Sequence, residues 1–173
     1  MKSYDYVCKA LELAKKTQDV FVRSVSVCGD PLGKETFSLL DAEGKSHVEL
    51  IEQLSHELSK GTDWAGTCAL DESAGRDMAA ELTGLVEKYA PPQSCQTELG
   101  AVRAAREMVE ANFKFYRGWL DEAENPVERE FIERMRGELR GQVGALANLE
   151  AYYQDPEGWA YDQALEMSTL DGA

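Results

Sequence analysis

The sequence predicts an all-α fold: a four-helix bundle made of two repeated αα-hairpins joined by a long crossover. Apolar residues recur at helical spacing through four long segments. Landmarks of the first two segments return in the last two at a constant offset of 95 residues. The 5 prolines all stand at segment boundaries, where a residue that cannot continue a helix belongs. At 173 residues the chain has the length of one domain. Residues 1–160 are assigned to the bundle, with the crossover at 61–96, and residues 161–173 to a C-terminal tail.

Helix one runs from Tyr4 to about Val27, with Val7, Ala10, Leu11, Ala14, Val20, Phe21 and Val25 on its apolar stripe, and ends at Gly29-Asp30-Pro31. Helix two takes Pro31 into its first turn and runs over about 32–60. Its stripe is Phe37, Leu40, His47, Leu50, Ile51, Leu54 and Leu58, and Lys60-Gly61 closes it. The crossover carries a shorter helical pattern from Asp77 to Tyr89, closed by Pro91-Pro92. A connection of that length suits a chain returning along the whole bundle better than a tight turn between antiparallel neighbours. Helix three starts at Thr97 and runs to about Glu124, carrying Leu99, Val102, Ala105, Val109, Phe113, Tyr116 and Leu120. Asn125-Pro126 breaks the chain, and helix four runs on to about Tyr153 through Phe131, Ile132, Met135, Leu139, Val143, Leu146 and Leu149. A turn at Asp155-Pro156 precedes a short helical pattern from Trp159 to Met167.

The 32 acidic residues outnumber the 18 basic ones, giving a net charge of −14. Such a surface repels phosphate backbones and anionic lipid, so neither nucleic acid nor membrane is expected as a partner. No apolar run reaches the ~20 residues of a bilayer span, and the start MKSYDYVCKALELAKK lacks a signal-peptide core, so a cytoplasmic location is expected. Cys8, Cys28, Cys68 and Cys95 form no C-x-x-C pair, so local zinc or rubredoxin-type sites are excluded and free thiols are expected. The pairing they would still permit is Cys68 with Cys95.

The 95-residue offset links Glu12 to Glu107, Phe21 to Tyr116, Asp30-Pro31 to Asn125-Pro126, Glu43 to Glu138, His47 to Gln142 and Leu54 to Leu149. Two hairpins in that relation make a bundle of the ferritin-like type, in which carboxylates and imidazoles between the helices can hold two metal ions. The chain resembles the ferritin-like diiron domain of the rubrerythrin family over about residues 8–160. The residues carrying the resemblance are ALELAKKTQDVF, GKETFSLLDAEGKSHVELIEQL, AREMVEANFKFYRGW, VEREFIERMRGELRGQVGAL and DPEGW.

The resemblance implies a metal-binding Glu nine residues before an aromatic position, and Glu12 before Phe21 and Glu107 before Tyr116 match it. It also implies a Glu-x-x-His pair in helices two and four. Gly44 stands where the first Glu should be, ahead of His47, while Leu139 and Gln142 replace the second pair. Glu43 and Glu138 each stand one step further back, about 100° round the helix, and are expected to reach inward only if the helix is over- or underwound. The remnant metal ligands are therefore Glu12, His47 and Glu107, expected to meet Gln142 at mid-bundle. Two ions about 3.5–4 Å apart need more bridging carboxylate than this set supplies, so no intact diiron centre and no cofactor are expected.

The expected role is non-catalytic: binding, structural or regulatory. The alternative is a non-haem iron oxidoreductase reducing peroxide or oxygen at a rearranged or mononuclear site, and the sequence leaves open whether the chain is an enzyme. The resemblance implies a homodimer and names no protein partner. His56 reads as a surface residue, and Trp64, Trp119, Trp159, Phe113, Phe115 and Tyr116 as packing residues.

Overall fold

A computed structural model describes residues 2–71, 80, 81, 84, 85, 88, 96–160 and 162. Four long helices dominate it: α1 (Ser3–Val27), α2 (Pro31–Ser59), α3 (Gln96–Glu122) and α4 (Pro126–Gln154), with no strand among the described residues. Two single 3-10 turns, Trp64–Gly66 and Cys68–Leu70, follow α2. The all-α expectation therefore holds, and each long helix starts and stops within two residues of the bounds expected from its stripe.

The breaks between helices have a common local cause. Asp30 adopts an extended backbone and its side chain accepts from the Gly33 N–H, capping α2, while Pro31 occupies the first helical turn. Asn125, 95 positions on, caps α4 by accepting from the Val127 and Glu128 N–H groups, again ahead of a proline. Each break is thus a helix start reinforced by an Asx cap.

The helices share one core. Phe21, Phe37, Leu40, Ile51, Leu54, Val102, Val109, Phe131, Ile132, Leu146 and Leu149 are fully buried. Each large apolar side chain removed from water in this way contributes roughly 1.5–3 kcal/mol. Trp119 centres an aromatic cluster with Tyr6, Phe115, Tyr116, Trp64 and Phe131, at ring separations of 5.4–6.2 Å. The packing role expected for Trp64, Trp119 and Tyr116 is what burial gives them, and His56 is exposed.

Contacts between helices fix their directions. The Gly29 N–H donates to Glu98 Oε1 at 3.0 Å, Asn112 Nδ2 donates to Thr17 Oγ1 at 2.7 Å, and Ser3 Oγ donates to Glu128 Oε2 at 3.1 Å. Late α1 thus meets early α3 and early α1 meets the α3–α4 turn, so α1 and α3 run antiparallel. Tyr153 Oη donates to both Asp30 carboxylate oxygens at 3.0 Å, which sets α4 antiparallel to α2. Since α1 and α2 are joined by a tight turn, α2 and α3 run parallel, and the connection must return along their length. The Cys68 N–H donates to Glu57 Oε2 near the end of α2, and Lys88 Nζ pairs with Glu35 near its start.

The crossover helix expected over Asp77–Tyr89 and the tail helix expected over Trp159–Met167 lie largely outside the described residues. Within those stretches residues 80, 81, 84, 85, 88, 159, 160 and 162 are helical. Cys8, Cys28 and Cys68 are free thiols, and Cys95, the partner considered for Cys68, lies outside the described residues. No helix among the described residues is long and apolar enough to cross a membrane.

Candidate functional site

The closest approaches between the helix pairs run along α1 and α3, while α2 and α4 reach each other through side chains at mid-length. Four residues meet there. Gln142 Nε2 donates to Glu43 Oε2 at 3.0 Å, and His47 Nε2 is hydrogen-bonded to Glu138 Oε2. The repeat makes these two contacts equivalent: each helix contributes a Glu and, four residues on, the side chain that engages the other helix's Glu. Glu43, His47 and Gln142 are buried and Glu138 nearly so.

Helical geometry explains why these four converge. A spacing of four residues advances about 40° beyond a full turn, so Glu43 and His47 share one face of α2, as Glu138 and Gln142 share one face of α4. Both helices are continuous α-helix through this region, so no over- or underwinding is involved and that expectation is corrected. Position 44 looks elsewhere. A Cβ placed on Gly44 would lie 3.6 Å from Gln18 Cβ and 3.6 Å from Phe21 Cδ2, both on α1. A carboxylate there would face α1 and not α4.

The expected meeting of Glu12 and Glu107 with His47 and Gln142 is also corrected, because both glutamates lie on the solvent face. Nine residues at about 100° each make two and a half turns, so Glu12 points away from the side on which Phe21 is buried, and Glu107 away from Tyr116. Glu12 instead pairs with Lys16 at 2.6 Å and Lys9 at 2.9 Å. Hydrogen bonds and charge from these two lysines hold its carboxyl down at about 2. Of the three expected ligands, only His47 lies in the central layer. The signal for the other two members was the i,i+4 pairing within each repeat.

One oxygen each of Glu43 and Glu138 and one nitrogen of His47 lie within 4.8 Å of one another, a spacing able to surround a metal ion. A second ion does not fit this layer. Two carboxylates, one imidazole and an amide offer too few negative donors to bridge and neutralise a dinuclear pair. Arg134 adds a cation at the rim, its Nε 4.0 Å from Glu138 Oε1. Tyr116 packs beside the layer, and burial, then the Glu138 carboxylate, push its phenol pKa up. Toward α1 and α3 lies a small cavity of about 20 Å³ whose lining includes Thr17, His47, Asn112, Tyr116 and Gln142.

Comparison with protein-family models, with curated proteins and with solved structures finds no match.

Proposed function

We propose that the chain is a rubrerythrin-like, ferritin-type bundle with a binding role, and that its central layer holds one divalent metal ion at Glu43, His47 and Glu138 in place of a diiron centre. The observation that carries this reading is the convergence of those three ligand atoms within 4.8 Å. The directions of the helices and the long return after α2 support a ferritin-type connectivity. A mixed carboxylate and imidazole set suits manganese, iron or zinc. The ion would neutralise the two inward carboxylates, and Gln142 would keep Glu43 in place through its amide. A cytoplasmic location and homodimeric assembly belong to the same proposal.

A second reading, a mononuclear non-haem iron oxidoreductase, is favoured by one observation. Tyr116 is a buried phenol lining the same cavity as His47 and Gln142, which puts a group able to give up an electron and a proton beside the ligands. Iron would supply redox chemistry there.

Elemental analysis after loading with iron, manganese or zinc tests the first reading. One ion per chain is expected, lost in Glu43→Gln and in His47→Ala. No bound metal would sink the reading, and two ions per chain would replace it with a dinuclear site. Peroxide or oxygen turnover by the iron-loaded protein, abolished in His47→Ala, would establish the second.

A further inference from the structure

We propose that the cavity beside Asn112 and Gln142 is a binding site for one water-sized species that donates at least two hydrogen bonds, either water or ammonium. Its warrant is a pair of buried acceptors. Asn112 Oδ1 and Gln142 Oε1 are both buried and have no hydrogen-bond partner among the described residues, and both residues line the cavity. Asn112 is 4% exposed and Gln142 1%. Buried polar atoms left unpaired cost stability, so native interiors supply partners for them.

The identity of these atoms as oxygens follows from their neighbours. Thr17 Oγ1 donates to the Leu13 carbonyl at 2.9 Å, so it must accept from Asn112, which turns the Asn112 NH2 toward Thr17. Glu43 as a carboxylate only accepts, which turns the Gln142 NH2 toward it. Each amide therefore presents its carbonyl oxygen as the remaining polar atom. A site of two such oxygens rejects anions and carbonyl compounds and takes a donor.

Size narrows the choice further. About 20 Å³ exceeds the roughly 10–15 Å³ needed by one water and leaves no room for a larger molecule. Water and ammonium are both of this size and both donate to two acceptors at once. The Glu43 and Glu138 carboxylates in the adjoining layer favour the cation where it is available, offset in part by Arg134 at the rim. The acceptors of the site are amide oxygens and no carboxylate, so failure of metal loading leaves it intact.

Metal-stripped protein tests the site by two routes: oxygen-17 magnetic relaxation dispersion for a long-lived internal water, and thermal unfolding in ammonium, sodium or tetramethylammonium chloride at equal ionic strength. A dispersion step from one water that disappears in Asn112→Leu, with no cation effect, establishes water as the occupant. A melting temperature that rises with ammonium alone, with the rise lost in Asn112→Leu and enlarged in Asn112→Asp, establishes ammonium. If Asn112→Leu does not fold, Asn112→Asp, which keeps the volume and an acceptor, must retain the water step or enlarge the ammonium shift. Absence of both signals in the wild type, or signals that persist unchanged in the Asn112 variants, overturns the proposal.

Discussion

Glu43 of α2 accepts a 3.0 Å hydrogen bond from Gln142 of α4, and the equivalent positions in reverse, Glu138 and His47, make the matching contact. The two cross-links stand side by side and join the helix pairs where apolar packing gives way to polar groups. Gln142→Leu removes one donor from a buried carboxylate and should destabilise the fold by about 1–3 kcal/mol. Removing both partners in Glu43→Leu/Gln142→Leu should restore most of that loss. Urea unfolding of the two single variants and the double variant measures it, and additive losses would contradict the coupling.

Metal binding should discriminate between inward and outward carboxylates. Glu12→Gln and Glu107→Gln should leave the affinity for a loaded ion unchanged, because both side chains lie on the solvent face. Gln142→His, which adds an imidazole beside Glu43, should tighten binding by about tenfold, roughly 1.4 kcal/mol. Chelator competition gives the constants. A large loss in Glu12→Gln would return the site to the positions that the family resemblance implies.

Alkaline stability follows from three raised groups. Burial pushes the Cys28 thiol up to about 12, the Cys68 thiol to about 11 and the Tyr6 phenol to about 12. Nearby carboxylates add to this: Asp30 and Glu98 at Cys28, Glu57 at Cys68, Glu122 at Tyr6. In the unfolded chain the same groups titrate near 9.0 and 10.0, so the unfolded state loses its protons first. The stability they contribute is complete below about pH 9 and is lost as pH rises toward 11–12. The urea midpoint should therefore fall steadily from pH 9 to pH 11, and less steeply in Cys28→Ala. A flat profile would contradict the burial of these groups.

Thiol reactivity should separate the cysteines in the same way. Cys8 is exposed, whereas Cys28 and Cys68 are buried and held as neutral thiols. At neutral pH a maleimide should label Cys8 well before Cys28 or Cys68, whose modification should follow the unfolding rate. Peptide mass spectrometry of timed samples resolves the order.

Trp119→Phe tests a buried carboxylate near the turn between α3 and α4. Glu128 is 2% exposed and accepts from Trp119 Nε1 at 2.8 Å and from Ser3 Oγ at 3.1 Å. Losing the indole donor leaves that charge half-satisfied and should cost about 2–4 kcal/mol, partly regained in Trp119→Phe/Glu128→Gln. Denaturant unfolding measures both.

The long elements were legible in the sequence because each has a periodic apolar stripe and an Asx-Pro start, two local signals that agree. The central layer was less legible, for a reason visible in α1. A separation of nine residues from Phe21 puts Glu12 at the family position in sequence but on the opposite face of the helix. His47 and His56 are also nine residues apart, and there the same angle correctly put His56 at the surface. Applied to Glu12 and Glu107, it turns both outward. Glu43 stands one step from the position the family resemblance implies, yet four residues separate it from His47 and such pairs share a face. Which of two adjacent positions, 43 or 44, faces α4 depends on how α2 packs against α1, and no local pattern in α2 encodes that.

The Thr17–Asn112 hydrogen bond joins α1 to α3 at two positions separated by 95 residues, the offset that links the two halves of the sequence. Between two identical subunits such a contact would present a side chain to its own copy, and one chemical group would have to serve as both giver and receiver of the proton. A single chain is free of that constraint. Here threonine receives, asparagine gives, and the oxygen left over on asparagine lends the contact between the two halves a sidedness.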